Sequence, residues 1–262
     1  MLDQSNSMKF GFVLPNRGPL STREGLISLA SQGESLGFDF MAVSDHIVVP
    51  RYISSSYPYT DSGEFPGGEF IGDCLEQLTT LAFIAGATSK AQLLTSVMVT
   101  PYRSAIHAGK VLATVDVLSK GRLLVGLGAG WMEEEFKILN APYNERADRT
   151  SEYIKIIKTL WETNPSSFHG KYYSFKNVSF RPKPKQKNFP IYMGGSSDQA
   201  IDRALELVDG WQPIWLNPDE LKDKISYLKN SAEQKGVDTV NYDISLRNRI
   251  QLTTDNNSDN PS

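Results

Sequence analysis

Residues 121–131 read GRLLVGLGAGW, and the reading of this stretch decides the rest of the chain. Arg122 to Leu127 has the length and apolar character of a strand buried on both faces, as in a parallel sheet covered by helices. Gly126, Gly128 and Gly130 let the end of that strand lie against something flat or bulky with no side chain between. Two phosphate-binding patterns do not fit. A P-loop needs Lys-Ser/Thr after its glycines, and a dinucleotide fingerprint opens a helix with an acid about 20 residues on. Here Met132 and the acidic run Glu133, Glu134 and Glu135 follow, which repel phosphate. The glycines are therefore expected to admit a ring rather than an anion.

Upstream, Lys9 to Pro15 reads as the first strand, with Asn16 to Leu20 as the loop leaving its C-terminal end. Ser21 and Glu24 suggest a capping box for a helix with Leu26, Ile27, Leu29, Ala30 and Leu36 on its apolar face, stopped by Gly37. Phe38 to His46 is a second strand ending in Asp45 and His46, which completes a βαβ unit. Residues 47–72 hold Pro50, Pro58, Pro66 and the aromatics Tyr52, Tyr57, Tyr59, Phe65 and Phe70 with little periodicity. A loop of that length leaving the His46 end of the sheet reads as a lid. Asp73 and Glu76 are cap candidates for the next helix, Ala91 to Thr100 is strand three, and Ser104 to Leu118 is helical.

Downstream, Arg149 to Trp161 has helical spacing and Phe168 to Phe180 reads as an excursion hairpin. Lys183, Lys185 and Lys187 among prolines read as a solvated connector. Strand five is Pro190 to Met193, opening through Gly194, Gly195, Ser196 and Ser197 into a helix over Asp198 to Val208. Gly210 to Leu216 is strand six. Asn217, Pro218 and Glu220 form a strong helix start, and that helix ends before Gly236. Tyr242 to Leu252 is strand seven, after which the chain turns polar and patternless.

Seven strands alternating with helices predict an α/β fold of the TIM (β/α)8 type that lacks its eighth strand-helix unit. With 262 residues the chain is close to the length of such a barrel, ~250. An unclosed barrel exposes two strand edges and an apolar seam, so reduced stability is expected. A net charge of −3 leaves no electrostatic footprint for nucleic acid, and no apolar run is long enough to span a bilayer. The opening residues lack the regions of a signal peptide, so a cytoplasmic location is expected. Cys74 is the single cysteine, which excludes an intrachain disulfide and a cysteine metal cage, and it reads as a small buried hydrophobe near a helix start.

The site of such a barrel lies at the C-terminal strand ends. Those ends carry Asn16, Asp45, His46, Ser96, Val97, Gly128 to Trp131, Gly194 to Ser197 and Trp215. The helix opening at Ser196 and Ser197, behind two glycines, is the phosphate candidate; its plain alternative is a serine N-cap. His46 suits proton transfer near neutral pH; alternatively, Asp45 and His46 satisfy one another or a neighbouring helix. No HExxH, carboxylate cluster with metal spacing or GxSxG elbow occurs, so neither metal-dependent hydrolysis nor serine-esterase chemistry has support.

The ordered blocks FGFVLPNRGP (10–19), GFDFMAVSDH (37–46), TSVMVTPYR (95–103) through DVLSKGRLLVGLGAGWMEEEF (116–136), HGKYYSF (169–175), PIYMGGSS (190–197) and DGWQP (209–213) together resemble the luciferase-like monooxygenase superfamily, in its coenzyme F-420 (deazaflavin) dependent oxidoreductase branch. The resemblance implies a bacterial-luciferase-like barrel over residues 9–252, with insertions at 47–72 and 132–189, a flexible N-terminus at 1–8, and a disordered tail or truncation point at 253–262. It implies a catalytic His46 near the hydride-transfer position. Cofactor contacts fall on Asp45, Ser96, Val97, Gly128, Ala129, Gly130, Gly194, Gly195, Ser196 and Ser197, with a non-proline cis peptide at Ser96–Val97. Asn16, Trp131 and Trp215 would meet the substrate. Ala129 stands where deazaflavin sugar-phosphate dehydrogenases carry a glutamate, so their acid chemistry and substrate do not transfer.

The expected activity is hydride transfer between F-420 and a small-molecule organic substrate. Reduced-FMN-dependent monooxygenation in the same pocket is the first alternative. A non-catalytic cofactor-binding barrel or inactive fragment is the second. The resemblance adds a possible homodimer, since relatives are often dimers; from charge and apolar run length no nucleic-acid or membrane partner is expected.

Overall fold

The computed structural model describes residues 8–60, 62–66 and 72–250. The expectations made for residues 1–7, Phe70, Gln251, Leu252 and the tail at 253–262 lie outside the described residues. Its centre is β4 (Leu123–Gly128), every residue of which is buried. The strand pairs in parallel on both sides, Thr95 opposite Val125 and Val125 opposite Ile191.

Alternation along β4 splits the interior in two, as the pleat requires. Leu123, Val125 and Leu127 join the large core between sheet and helices. Leu124 points the other way, into a small cluster with Ala42, Leu94 and Tyr192 inside the curl of the sheet. Gly126 and Gly128 share that inner face.

The remaining strands of the seven-stranded parallel sheet are β1 (Gly11–Val13), β2 (Phe40–Val43), β3 (Gln92–Val99), β7 (Ile191–Gly194), β8 (Gly210–Gln212) and β9 (Asp243–Ile244), in the order β1-β2-β3-β4-β7-β8-β9. Among the described residues β1 pairs only with β2 and β9 only with β8. This is the curled α/β barrel without its eighth unit that the strand count predicts. Helices α1 (Arg23–Ser35), α2 (Gln77–Ala87), α3 (Ala105–Leu118), α5 (Arg146–Glu162), α6 (Asp198–Leu207) and α7 (Pro218–Lys235) pack outside, while the short α4 (Glu133–Ile138) follows the glycine strand. The excursion is the antiparallel hairpin of β5 (Ser166–His169) and β6 (Ser174–Val178). No described helix is long and apolar enough to cross a membrane.

Local signals worked where the contacts are local. Asn217 Oδ1 accepts from the Asp219 and Glu220 amides while Glu220 returns a bond to the Asn217 amide, Pro218 occupies the first turn, and Gly236 ends the helix at φ 66°. Several expectations are corrected. Thr22, not Ser21, caps α1 through the Gly25 amide, because the Ser21 hydroxyl is turned to the Gly18 carbonyl. Glu76 alone caps α2. Lys185 and Lys187 are exposed, as a solvated connector requires, while the half-buried Lys183 has its Nζ donating to the Leu160 and Thr163 carbonyls at the end of α5. Strand six stops at Gln212, where Pro213 removes a donor and Trp215 turns to φ 51°. Strand seven shrinks to Asp243–Ile244, followed by one bridge between Ile214 and Arg247.

Candidate active site

The strand ends bring His46 and Glu135 together. His46 leaves the end of β2 and is buried; Glu135, on α4, is fully buried. Glu135 Oε2 lies 2.7 Å from His46 Nδ1 and also accepts the Tyr102 hydroxyl at 3.0 Å, while Oε1 accepts the Ile47 and Val48 amides at 2.7 and 3.1 Å. Burial pushes this carboxyl up, but the bonds from His46 and the two amides outweigh it and hold it below its ordinary value. Burial, then the adjoining carboxylate, push the Tyr102 hydroxyl up. An ionised carboxylate only accepts, so Nδ1 carries a proton and Nε2 is the ring nitrogen left facing the mouth of the barrel. Nε2 bonds no described residue.

The acidic run is therefore not merely a barrier to phosphate. It clasps the loop after His46: Glu134 takes the amides and hydroxyls of Ser54 and Ser55, and the Glu133 amide donates to the Ser55 hydroxyl. The first turn of a helix favours carboxylates, and here the loop's donors complete them.

Asp45 faces another partner. Its two oxygens take a bidentate clamp from Arg103 at 2.7 and 2.8 Å, Oδ2 also accepts the Val99 amide, and Arg103 reaches Glu76 as well. Asn16 ties three segments, its Nδ2 donating to the Ser44 and Leu75 carbonyls and lying 3.2 Å from Cys74 Sγ. Cys74 lies just ahead of α2, near a helix start as expected, but is half-buried rather than buried.

The Ser96–Val97 peptide is cis, as the resemblance implies. Val97 also corrects the reading of the glycines. A Cβ on Gly128 would lie 2.6 Å from Val97 Cγ2, and one on Gly194 2.7 Å from Val97 Cγ1. A Cβ on Gly126 would meet Gln212 Oε1 at 2.5 Å. The space beside these glycines is taken by the Val97 isopropyl group and the Gln212 amide. Gly130, at φ 83°, yields to Phe136 and Val99, and its carbonyl accepts from Arg146. Ala129 follows directly on β4 and is half-buried.

Just after β7, the Gly195 carbonyl accepts the Trp211 indole N–H at 2.7 Å. Ser197 is the N-cap of α6 through the Ala200 amide, and the Ser196 hydroxyl reaches the Ile214 carbonyl at 3.4 Å. Trp131 and Trp215 meet through the loop after His46: Tyr57 packs edge-on to both, at 5.0 and 5.8 Å, and Phe65 bridges Trp131 to the His46 ring.

Arg247, absent from the sequence reading, crosses the mouth from beyond β9. Its guanidinium donates to the Ser96 carbonyl at 2.6 Å and the Ser44 hydroxyl at 3.1 Å. Glu135, Arg103 and Gln212 were also missed. Glu135 carried one signal, a charge beside the core residue Phe136 in a six-residue helix; the others carried none.

A flavin or deazaflavin ring suits this arrangement. Gln212 is 3% exposed and its Oε1 has no hydrogen-bond partner, so an unmet acceptor waits inside the barrel next to Val97 and Gly126. A ring N–H satisfies such an atom.

A profile of the luciferase-like monooxygenase family matches residues 8–259, and the chain belongs to that family. An uncharacterized protein of Mycobacterium tuberculosis is 30% identical over 212 residues, 80% of this chain and 72% of that protein. The FMNH2-dependent dimethylsulfone monooxygenase of Pseudomonas putida is 31% identical over 238 residues, 88% of this chain and 63% of the enzyme. Among solved structures, an F420-dependent secondary alcohol dehydrogenase in complex with an F420-acetone adduct matches with a TM-score of 0.74 at 20% identity, over 91% of this chain and 68% of that one. That last likeness is one of fold.

Proposed function

We propose that this luciferase-like oxidoreductase transfers a hydride between a deazaflavin of the F-420 type and an organic substrate at the mouth of the barrel. The observation that carries the reading is the His46–Glu135 pair. Removing a hydride from a carbon that bears a hydroxyl requires a base for the hydroxyl proton, and an imidazole whose Nδ1–H is fixed on a carboxylate offers Nε2 for it. The deazaflavin, when bound, supplies the two-electron chemistry.

The chain's own residues do the rest. Val97 supports the ring, Ser96 and Gly128 to Gly130 flank it, and the Gln212 amide offers an acceptor to its edge. Gly194 to Ser197 hold the tail phosphate at the start of α6. Asp45 acts through Arg103, keeping the ends of β2 and β3 in register. Asn16 positions the loop beside the substrate, and Trp131 and Trp215, roofed by Tyr57 and Phe65, exclude water from it.

Reduced-FMN-dependent monooxygenation is the second reading, favoured by the 31% identity to the dimethylsulfone monooxygenase. Anaerobic titration of the chain with oxidised F-420 and, in parallel, FMN separates them. The deazaflavin reading expects tight F-420 binding, weak FMN binding, and a His46→Gln variant that binds F-420 but no longer reduces it. Binding of FMN alone transfers the assignment to the monooxygenase, and binding of neither leaves a barrel without turnover.

A further inference from the structure

Three arginines converge on the aromatic roof, and none forms an ion pair with a carboxylate among the described residues. Arg17, from the loop after β1, lies with Cζ 5.0 Å over the Phe65 ring. Arg249 lies 5.6 Å over Trp215. Arg247 lies between the roof and the Ser96–Val97 peptide, and its described partners are neutral oxygens of Ser96 and Ser44. All three act electrostatically on Tyr57, and Arg17 and Arg247 oppose one another. Arg103, at the same end of the barrel, shows the contrast, since it carries both Asp45 and Glu76.

Grouping like charges in a partly desolvated mouth is costly unless an opposite charge joins them. A guanidinium has five donors, so Arg247 retains capacity beyond its present bonds. Trp215 ties the group together. Its amide donates to the Arg247 carbonyl at 2.9 Å, and it holds φ 51°, a left-handed conformation that a bulky residue adopts where surrounding structure imposes it. Beside it a cavity of about 340 Å3 is lined by Tyr59, Thr60, Trp215 and Arg249.

We propose that Arg17, Arg247 and Arg249 bind an oxyanion, a carboxylate or sulfonate, on the organic substrate, whose apolar or aromatic body lies against Trp131 and Trp215. The substrate is then an organic acid rather than a neutral alcohol or ketone. Naming the ligand a substrate rests on the oxidoreductase reading; the anion site itself does not. Guanidinium groups match oxyanions in bidentate geometry, and aromatic faces hold both the guanidinium and the ligand body.

The test is quenching of tryptophan fluorescence in the full chain by benzoate, with benzamide as its uncharged counterpart. Benzoate is expected to bind at least about tenfold more tightly, the factor for one charge-assisted hydrogen bond. The double variant Arg17→Gln/Arg249→Gln should lose that advantage and keep its benzamide affinity. Neither side chain hydrogen-bonds a described residue, so the fold is expected to persist, which a circular-dichroism melt checks; Arg247→Gln is the second variant. Equal binding of the two probes, or full benzoate affinity in both variants, overturns the proposal.

The same titration in chain saturated with F-420, and separately with FMN, distinguishes the source of the anion. Retained benzoate affinity supports a substrate site. Displacement of benzoate by either cofactor, together with weakened cofactor binding in the double variant, assigns the arginines to the cofactor's own acidic group and overturns it. Arginine-dependent benzoate binding in a chain that binds neither cofactor upholds the anion site and defeats the oxidoreductase reading.

Discussion

Glu135 Oε2 lies 2.7 Å from His46 Nδ1 across 89 residues of chain, and the same carboxylate closes over the Ile47 and Val48 amides and the Tyr102 hydroxyl. One fully buried side chain thus orients the imidazole, anchors the start of the loop after His46 and ties it to the turn after β3. Such a carboxylate is costly to bury and is held only by the completeness of its donors.

Glu135→Gln keeps the shape but places a donor where only acceptors fit. Stability should fall by about 3 kcal/mol, read as a lower urea midpoint at unchanged m. If His46 is the proton carrier, kcat should fall at least about tenfold with KM little changed, because an interaction needed for the transition state is lost. A midpoint within error of wild type would refute the buried clasp.

The clasp on the loop after His46 should be sensitive to acid. Burial works against ionisation of Glu134, but the hydroxyls and amides of Ser54 and Ser55 pull its pKa from 4.5 down to about 2. A folded pKa below the unfolded one stabilises the protein above the unfolded value, and that contribution disappears as pH falls toward the folded value. Wild type should therefore melt above Glu134→Gln at pH 6, and the gap should narrow steadily between pH 5 and 3. A gap that stays constant or widens on acidification contradicts the clasp.

Gly128→Ala should press its new methyl on Val97 Cγ2, 2.6 Å from the added carbon. Overpacking of this kind costs about 1 to 3 kcal/mol. Val97→Ala in the same chain should recover most of the loss, since residues in contact couple. Additive losses in the double variant would show that the glycine serves some other neighbour.

Asn217→Ala removes the acceptor of two α7 amides and half of the capping box. The expected cost is about 1 kcal/mol, seen in the urea midpoint, with cofactor and probe binding unaffected.

The sequence by itself determined the alternation of strands and helices, the glycine strand at the centre of the sheet, the hairpin excursion and the start and stop of α7. Each is written in contacts between near neighbours or in the period with which apolar residues recur. The same patterns marked the strand ends, and so named His46, Ser96 and Val97 as candidates. Only the tertiary structure decided what those residues meet. Val97 fills the space that Gly128 and Gly194 leave open, Asp45 answers Arg103 rather than His46, and Arg247 reaches Ser96 from 151 residues away. Burial periodicity says which face of an element turns inward, but polar pairing depends on which elements are brought to one end of the barrel. The curl of the sheet makes that choice, which no local spacing records.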